Sequence, residues 1–301
     1  MRAVVTGGAG FIGSTLVDTL LARGDEVHVV DDLSSGRREQ VAEGATLHVR
    51  DIREPLAETF AEARPDVVFH LAAQVDVRVS VADPAADART NVIGTVNVLE
   101  AARAHDAQVV FTSTGGAIYG ECDEPALEED ARLPVSPYGT SKLAGEEYLA
   151  TWNRLYGSSH VALRLGNVYG PRQDPHGEAG VVAIFLSRIR DGKPATIFGD
   201  GRQTRDYVAA SDVVRALVAA VGAGGGGFNV GTGVETSVLE LWQACREATG
   251  VEAEVVHDPP RLGELQRSVL DPGRAERELG WRPEVALPDG LRRTWEWLRE
   301  E

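Results

Sequence analysis

The sequence predicts an α/β protein, a doubly wound parallel sheet followed by a smaller C-terminal α/β lobe. Three observations carry this. Short β-branched runs alternate with helix-period segments through the first half. The strand candidates are nearly continuously apolar, as in a parallel sheet covered on both faces. Beyond residue 167, apolar runs become fewer and proline and glycine denser, notably over 169–180 and 257–263.

In chain order, strands are expected at 2–6, 26–31, 46–50, 66–71, 108–113 and 161–165, with helices at 11–23, 56–63, 87–105 and 137–156 between them. Right-handed crossovers then wind helices onto both faces. Further helices are expected at 180–190, 211–221, 237–249 and 288–299, and the glycine run 222–227 reads as a surface turn without chemistry. A length of 301 residues suits two lobes. The expected division gives 1–166, with 204–230 returning to it, to a nucleotide-binding domain, and 167–203 with 231–301 to a substrate lobe.

Composition narrows the function. Apolar residues make up 43% and charged residues 25%, an ordinary globular balance. Cys122 and Cys245 stand far apart with no Cys/His cluster, so neither a disulfide framework nor a metal site is expected. No apolar run approaches a signal core or a membrane span, and a cytoplasmic protein without membrane contact is expected. A net charge of −16 argues against nucleic acid, whose phosphates require a basic face. Of 30 basic residues only Lys142 and Lys193 are lysine.

The first strand runs into Thr6-Gly7-Gly8-Ala9-Gly10-Phe11-Ile12-Gly13 and then a helix. Glycines here allow a tight turn, close approach of backbone to a pyrophosphate, and close helix–strand packing. The helix N-terminus adds free N–H groups and a positive dipole end. This is the dinucleotide-binding (Rossmann) arrangement. Asp31 ends the second strand, where a carboxylate accepts from adenosine ribose hydroxyls and repels a 2′-phosphate, which favours NAD over NADP. A merely structural glycine turn is the alternative, and the strand–turn–helix context with Asp31 weighs against it.

Ser136-Pro137-Tyr138-Gly139-Thr140-Ser141-Lys142 opens the 137–156 helix, with Ser136 as cap and Pro137 in the first turn. Tyr138 and Lys142, four apart, share a face. A phenol is a poor base at its ordinary pKa of about 10. A nearby ammonium, or a positively charged nicotinamide ring, favours its ionised form. The pattern alone is common, but lysine is so scarce in this chain that one at this position carries weight. Thr114 or Ser113, at the end of the fifth strand, supplies a hydroxyl for a substrate oxygen. Ordinary strand-end hydroxyls are the bland alternative.

The glycine loop, Asp31–Gly36, Asp51-Ile52, His70–Gln74, Asn91, Ser113–Gly120 and Ser136–Lys142 occur in order, followed by Asn167–Arg172, Phe198–Gly201, Arg205–Tyr207 and Pro260–Glu264. Together they resemble the extended short-chain dehydrogenase/reductase family over nearly the whole chain, with the greatest likeness to bacterial UDP-glucose 4-epimerases. The resemblance implies a homodimer joined through the 87–105 and 137–156 helices. It also implies bound NAD. Gly7, Gly10, Phe11, Ile12 and Gly13 would hold the pyrophosphate, and Asp31, Asp32, Ser34, Ser35 and Gly36 the adenosine ribose. Asp51 and Ile52 would flank adenine, and Leu71, Ala72, Ala73, Gln74, Asn91 and Lys142 would line the nicotinamide half. For a UDP-sugar, it implies Asn167, Arg205 and Arg261 at the diphosphate, Phe198 at uracil, Glu264 at the uridine ribose and Ser268 beside the hexose.

One departure stands out. Counting back from Tyr119-Gly120 puts Gly115 where many relatives carry a catalytic serine, so Thr114 takes that role in the expected set with Tyr138 and Lys142. The turn Gly115-Gly116-Ala117 also lacks the acids that dehydratases and decarboxylases of this family use. Inversion at C4 of a UDP-hexose through a 4-keto sugar is therefore expected. The alternatives are another UDP-sugar (a glucuronate or an N-acetylhexosamine) and a non-catalytic NAD-binding scaffold.

Overall fold

The computed structural model describes residues 1–175, 180–260 and 265–300. The first half supplies β1 (Arg2–Thr6), α1 (Phe11–Ala22), β2 (Glu26–Asp31), β3 (Thr46–Val49), α2 (Ala57–Ala63) and β4 (Val67–His70). There follow α3 (Val77–Ala82), α4 (Pro84–Ala88), a π-helical turn (Arg89–Ile93), α5 (Gly94–Arg103), β5 (Gln108–Thr114), α6 (Gly115–Ile118), α7 (Pro137–Tyr156) and β6 (Val161–Leu165). The rest comprises β7 (Asn167–Tyr169), α8 (Val181–Arg190), β8 (Ala195–Phe198), β9 (Thr204–Ala209), α9 (Ala210–Ala219), β10 (Gly226–Val230), β11 (Glu235–Ser237), α10 (Val238–Thr249), β12 (Val255–Asp258), β13 (Arg267–Ser268), α11 (Gly273–Leu279) and α12 (Leu287–Glu300).

Seven strands form one parallel sheet in the order β10-β6-β5-β4-β1-β2-β3. One face buries Leu16 and Leu20 of α1 with Val213 and Leu217 of α9. The other buries Phe60 of α2, Leu99 of α5 and Leu149 of α7. Each such side chain contributes about 1.5–3 kcal/mol of burial, so the two-sided core fixes the alternation read from the sequence. The chain steps outward from β1 to β3, then returns to β4 on the other side of β1. That reversal opens a crevice at the carboxyl ends of β1 and β4, where doubly wound folds bind ligands.

The smaller lobe contains a second sheet, in which β9 pairs with β7, β11 and β13, and a β8–β12 pair. Phe185 of α8, Leu241 and Trp242 of α10, and Leu291 and Trp295 of α12 pack into one core there. The 204–230 stretch is shared between the two. Its first strand, β9, belongs to the small sheet, whereas α9 packs on the main sheet and β10 extends it.

Two elements differ from the sequence reading. The 87–105 helix is interrupted by the π-helical turn that carries Asn91, and such bulges concentrate at functional sites. The glycine run is not only a turn, because Gly226 and Gly227 start β10. Glycine side chains give no periodicity to read, yet an added Cβ at Gly227 would lie 3.2 Å from the Arg164 guanidinium. Among the described residues, no helix is long and apolar enough to cross a membrane.

His160 ties β5 to β6, its Nδ1 accepting from the Val109 N–H at 3.0 Å. Burial lowers its pKa from 6.5 to about 4. Below pH 6.5 the unfolded chain therefore takes up a proton that the folded chain refuses, and stability falls as pH drops toward 4. Between pH 7 and pH 5 this group removes about 2 kcal/mol. Urea unfolding at the two pH values should show a drop smaller by about that amount in His160→Asn; an equal drop in both proteins would contradict the assignment.

Candidate active site at the carboxyl ends of the main sheet

The glycine loop is held by contacts that exclude side chains. Gly7 adopts a left-handed φ of +72°, and its N–H donates to Val30 O at 2.9 Å. An added Cβ there would lie 2.7 Å from Ala72 N, and one at Gly13 would lie 2.0 Å from Gly7 O. Helix α1 then starts at Phe11 with no side-chain cap and no acid in its first turn. The N–H groups of Phe11, Ile12 and Gly13 have no acceptor within the helix and favour an anion.

On the adenosine side, Asp31 is 8% exposed. Its carboxylate accepts from Ala9 N–H at 3.0 Å and Leu33 N–H at 2.9 Å. Burial raises its pKa, and these two N–H groups oppose the shift. A carboxylate offers about four lone-pair positions, so two N–H donors leave capacity for ribose hydroxyls. Asp32 holds the exposed Ser34 through its N–H and Oγ, at 2.9 and 2.6 Å. Ser35 is exposed, and an added Cβ at Gly36 would lie 2.8 Å from Ala9 Cβ. On the neighbouring strand exit, Asp51 is paired with Arg53, which holds its carboxyl below the usual range. Ile52 is buried against Gly94.

Next to the glycine loop, Leu71 N–H and Ala72 N–H donate to Thr6 O and Thr6 Oγ1 at 3.1 and 3.2 Å. Ala73 is half-buried beside them. Gln74 is turned to structural work: its amide donates to Asp87 Oδ1 at 2.8 Å, and its N–H donates to Asn91 Oδ1 at 2.8 Å. Asn91, 2% exposed, donates in turn to Ser141 Oγ at 3.1 Å. Ser141 Oγ donates to Tyr138 O at 2.9 Å. Asn91 thus positions the start of α7.

Helix α7 begins as its sequence dictates. Ser136 Oγ accepts from Gly139 N–H at 3.1 Å with Pro137 in the first turn. An added Cβ at Gly139 would lie 2.5 Å from Ala117 O, so the helix start, with half-buried Tyr138, is pressed onto α6 at the exit of β5. Lys142 is 3% exposed; its Nζ donates to Thr112 O at 2.9 Å and lies 4.7 Å from the centre of the Phe111 ring. Burial lowers its pKa to about 8, against Asp87 and Glu146, which raise it.

β5 ends in three hydroxyls with different fates. Thr112 Oγ1 donates to His70 O at 3.1 Å, and Ser113 Oγ to Glu146 Oε1 at 2.5 Å. Thr114, half-buried, has no hydrogen-bonded hydroxyl among the described residues. An added Cβ at Gly115 would lie 2.4 Å from Leu270 Cδ1. Position 115 therefore faces a filled core, and of the two sequence candidates Thr114 is the one with an uncommitted hydroxyl. Ser113 is engaged by Glu146 instead.

Across the turn, an added Cβ on Gly116 would lie 3.5 Å from Asn167 Oδ1 and 3.8 Å from Ser268 Oγ, so both side chains converge there. Ser268 pairs in register with Arg205, whose Nη1 donates to Thr204 O at 2.8 Å. Phe198 ends β8 and accepts from Gln203 Nε2 through its carbonyl at 3.0 Å. Arg261 and Glu264 lie outside the described residues.

A buried network behind the turn has no counterpart in the sequence reading. Glu146 accepts from Arg164 Nε and Nη2 at 3.1 and 2.8 Å. Arg164 Nη1 donates to Tyr119 OH at 2.6 Å, and Tyr119 OH donates to Asn229 Oδ1 at 2.8 Å. Burial pushes the Tyr119 phenol up to about 12, which keeps it protonated and a donor to Asn229. The one signal in the sequence was position: Glu146 follows Lys142 by one helical turn.

Comparison with known proteins agrees with this geometry. A sequence profile of the NAD dependent epimerase/dehydratase family matches residues 3–231. A UDP-glucose 4-epimerase from Mycolicibacterium smegmatis is 52% identical, covering 100% of this chain and 99% of its own. The crystal structure of a Thermotoga maritima UDP-glucose 4-epimerase with UDP-glucose superposes with a TM-score of 0.97 at 47% identity, over 100% of this chain and 99% of that one. A Thermus thermophilus UDP-glucose 4-epimerase in complex with NAD gives 0.95 at 48% identity, over 99% of each chain.

Proposed function

This chain belongs to the NAD dependent epimerase/dehydratase family, and from that premise we propose that it is an NAD-dependent UDP-hexose 4-epimerase interconverting UDP-galactose and UDP-glucose. The observation that carries the reading is a buried ammonium, Lys142, one helical turn from Tyr138, beside a Gly115-Gly116-Ala117 turn that holds no acid. A non-catalytic scaffold gives no reason to bury a charge at that point.

The chain suits the cofactor. The side-chain-free loop at Gly7 and Gly13, the uncapped start of α1 and the acceptor Asp31 match a pyrophosphate and an adenosine ribose. When bound, NAD supplies a reversible acceptor for the hydrogen of sugar C4. The protein's residues do the rest. Tyr138 takes the proton of the 4-hydroxyl, and Lys142 favours its ionised form. Thr114 donates to the same sugar oxygen. Asn167 and Arg205 hold the diphosphate, Phe198 lies by the uracil, and Ser268 leaves room beside the hexose for the 4-keto sugar to present its other face. Arg261 and Glu264 complete this set in the proposal. The same reading includes a cytoplasmic homodimer, with Ile93, Tyr148 and Tyr156 exposed along the paired helices.

Purified protein should turn UDP-galactose into UDP-glucose with no added NAD, because the cofactor is regenerated in each cycle. No product from protein shown to contain NAD would reject the reading. Within the site, Thr114→Val should lower kcat about a hundredfold, whereas Ser113→Ala, which removes a bond to Glu146, should lower the melting temperature and leave kcat within a few-fold. The reverse pattern would reassign the third group to Ser113.

A further inference from the structure

Two imidazoles that the reaction does not use meet at the β2–β3 edge of the main sheet. His28 and His48 stack with ring centres 5.2 Å apart and planes 13° from parallel, and His28 Nδ1 lies 2.9 Å from His48 Nε2. Glu62 reaches the pair from α2, and one ligand atom from each of the three residues lies within 4.8 Å of the others. Zn–N bonds of about 2.0–2.1 Å in a tetrahedral site put two ligand nitrogens roughly 3.3 Å apart, close to the spacing present. The second nitrogen of His28 is 3.3 Å from Glu26 Oε1. A carboxylate in that place favours the tautomer with Nδ1 unprotonated, so that the lone pair now facing His48 Nε2 can bind a metal instead, the usual support for a ligating histidine.

The surroundings suit a cation. A cavity of about 340 Å³ opens beside the group, lined by His48, Arg50, Glu58, Thr59 and Glu62 among others. It has room for a water in a fourth position, and two carboxylates against one guanidinium. Two imidazoles with one carboxylate suit zinc and its first-row neighbours. The sequence showed no zinc spacing because its ligands come from two strands and a helix, with the histidines 20 positions apart.

We propose that His28, His48 and Glu62 form a three-ligand site for a first-row divalent cation, Zn²⁺ above all, which clips α2 to the β2–β3 edge. The ion takes one nitrogen from each ring and one carboxylate oxygen, with a water completing its shell. It is separate from the substrate crevice and independent of the reaction assigned there.

The test uses tag-free protein with its NAD bound, washed with chelator and titrated calorimetrically with ZnCl₂. One equivalent should bind. Glu62→Gln, at an exposed position, and His48→Gln should each weaken binding by about tenfold or more while turnover of UDP-galactose stays at the wild-type level. Co²⁺ added to wild type should give the visible absorption of a four-coordinate ion, absent in His48→Gln. No binding by wild type, or an isotherm unchanged in Glu62→Gln, overturns the proposal.

Discussion

Tyr138→Phe should lower kcat about a thousandfold, since a positioned acid–base group contributes roughly 10²–10⁴. That loss corresponds to about 4 kcal/mol of transition-state stabilisation. The substitution removes one hydroxyl from a half-buried ring. The Ser136 cap, the contact of α7 with Ala117 and the Lys142 bond to Thr112 do not involve that hydroxyl. The variant should therefore fold, keep its NAD, and bind UDP-galactose with little change in KM. Loss confined to kcat marks a group acting in the transition state. A variant with near-wild-type kcat would remove Tyr138 from the chemistry, and one that loses NAD along with activity would make it a structural residue.

Lys142→Met should do two opposite things. Activity should fall at least a hundredfold if, as proposed, that positive charge favours the ionised Tyr138. The fold should gain stability. Lys142 titrates near 10.5 unfolded and, because burial lowers it, at about 8 in the folded chain. At pH 7 the folded protein thus holds a charge it would shed more readily than the unfolded chain, at a cost on the order of 3 kcal/mol. Methionine removes that cost and also the charge-assisted bond to Thr112 O, worth about 1.5–3 kcal/mol. A net gain of up to about 1.5 kcal/mol is expected in NAD-free protein. Wild-type stability rises between pH 8 and pH 10.5, as the folded lysine gives up its proton before the unfolded one does. The advantage of the variant should shrink over that window, and a gap that stays constant would refute the cause.

Much of this was legible in linear order, for identifiable reasons. Helix α7 was readable at its start because Ser136 and Pro137 are local signals; in the structure it stops at Gly157, in the left-handed region. The glycine loop was readable because its constraint is steric and falls on neighbouring residues. The small lobe was hard to read. Its strands β7, β11 and β13 are only 2–3 residues long, too short for a period of two to show. The roles of β5's hydroxyls were also hidden. Thr112, Ser113 and Thr114 look alike in sequence, and only His70 O and Glu146, brought up by other elements, distinguish them. The Glu146–Arg164 pair was missed for the same reason, since its partners are set by the packing of α7 on β6. Breaking such a buried pair from one side costs about 3–5 kcal/mol, and through Glu146 the pair is bonded to Ser113 beside Thr114.

The central claim is that Tyr138 and Lys142 work on a sugar whose C4 hydrogen leaves to bound NAD and returns to the same carbon. UDP-galactose deuterated at C4, converted in ordinary water, tests it most directly. UDP-glucose that retains the deuterium at C4 is the predicted product; UDP-glucose carrying a solvent hydrogen at C4 would contradict the account.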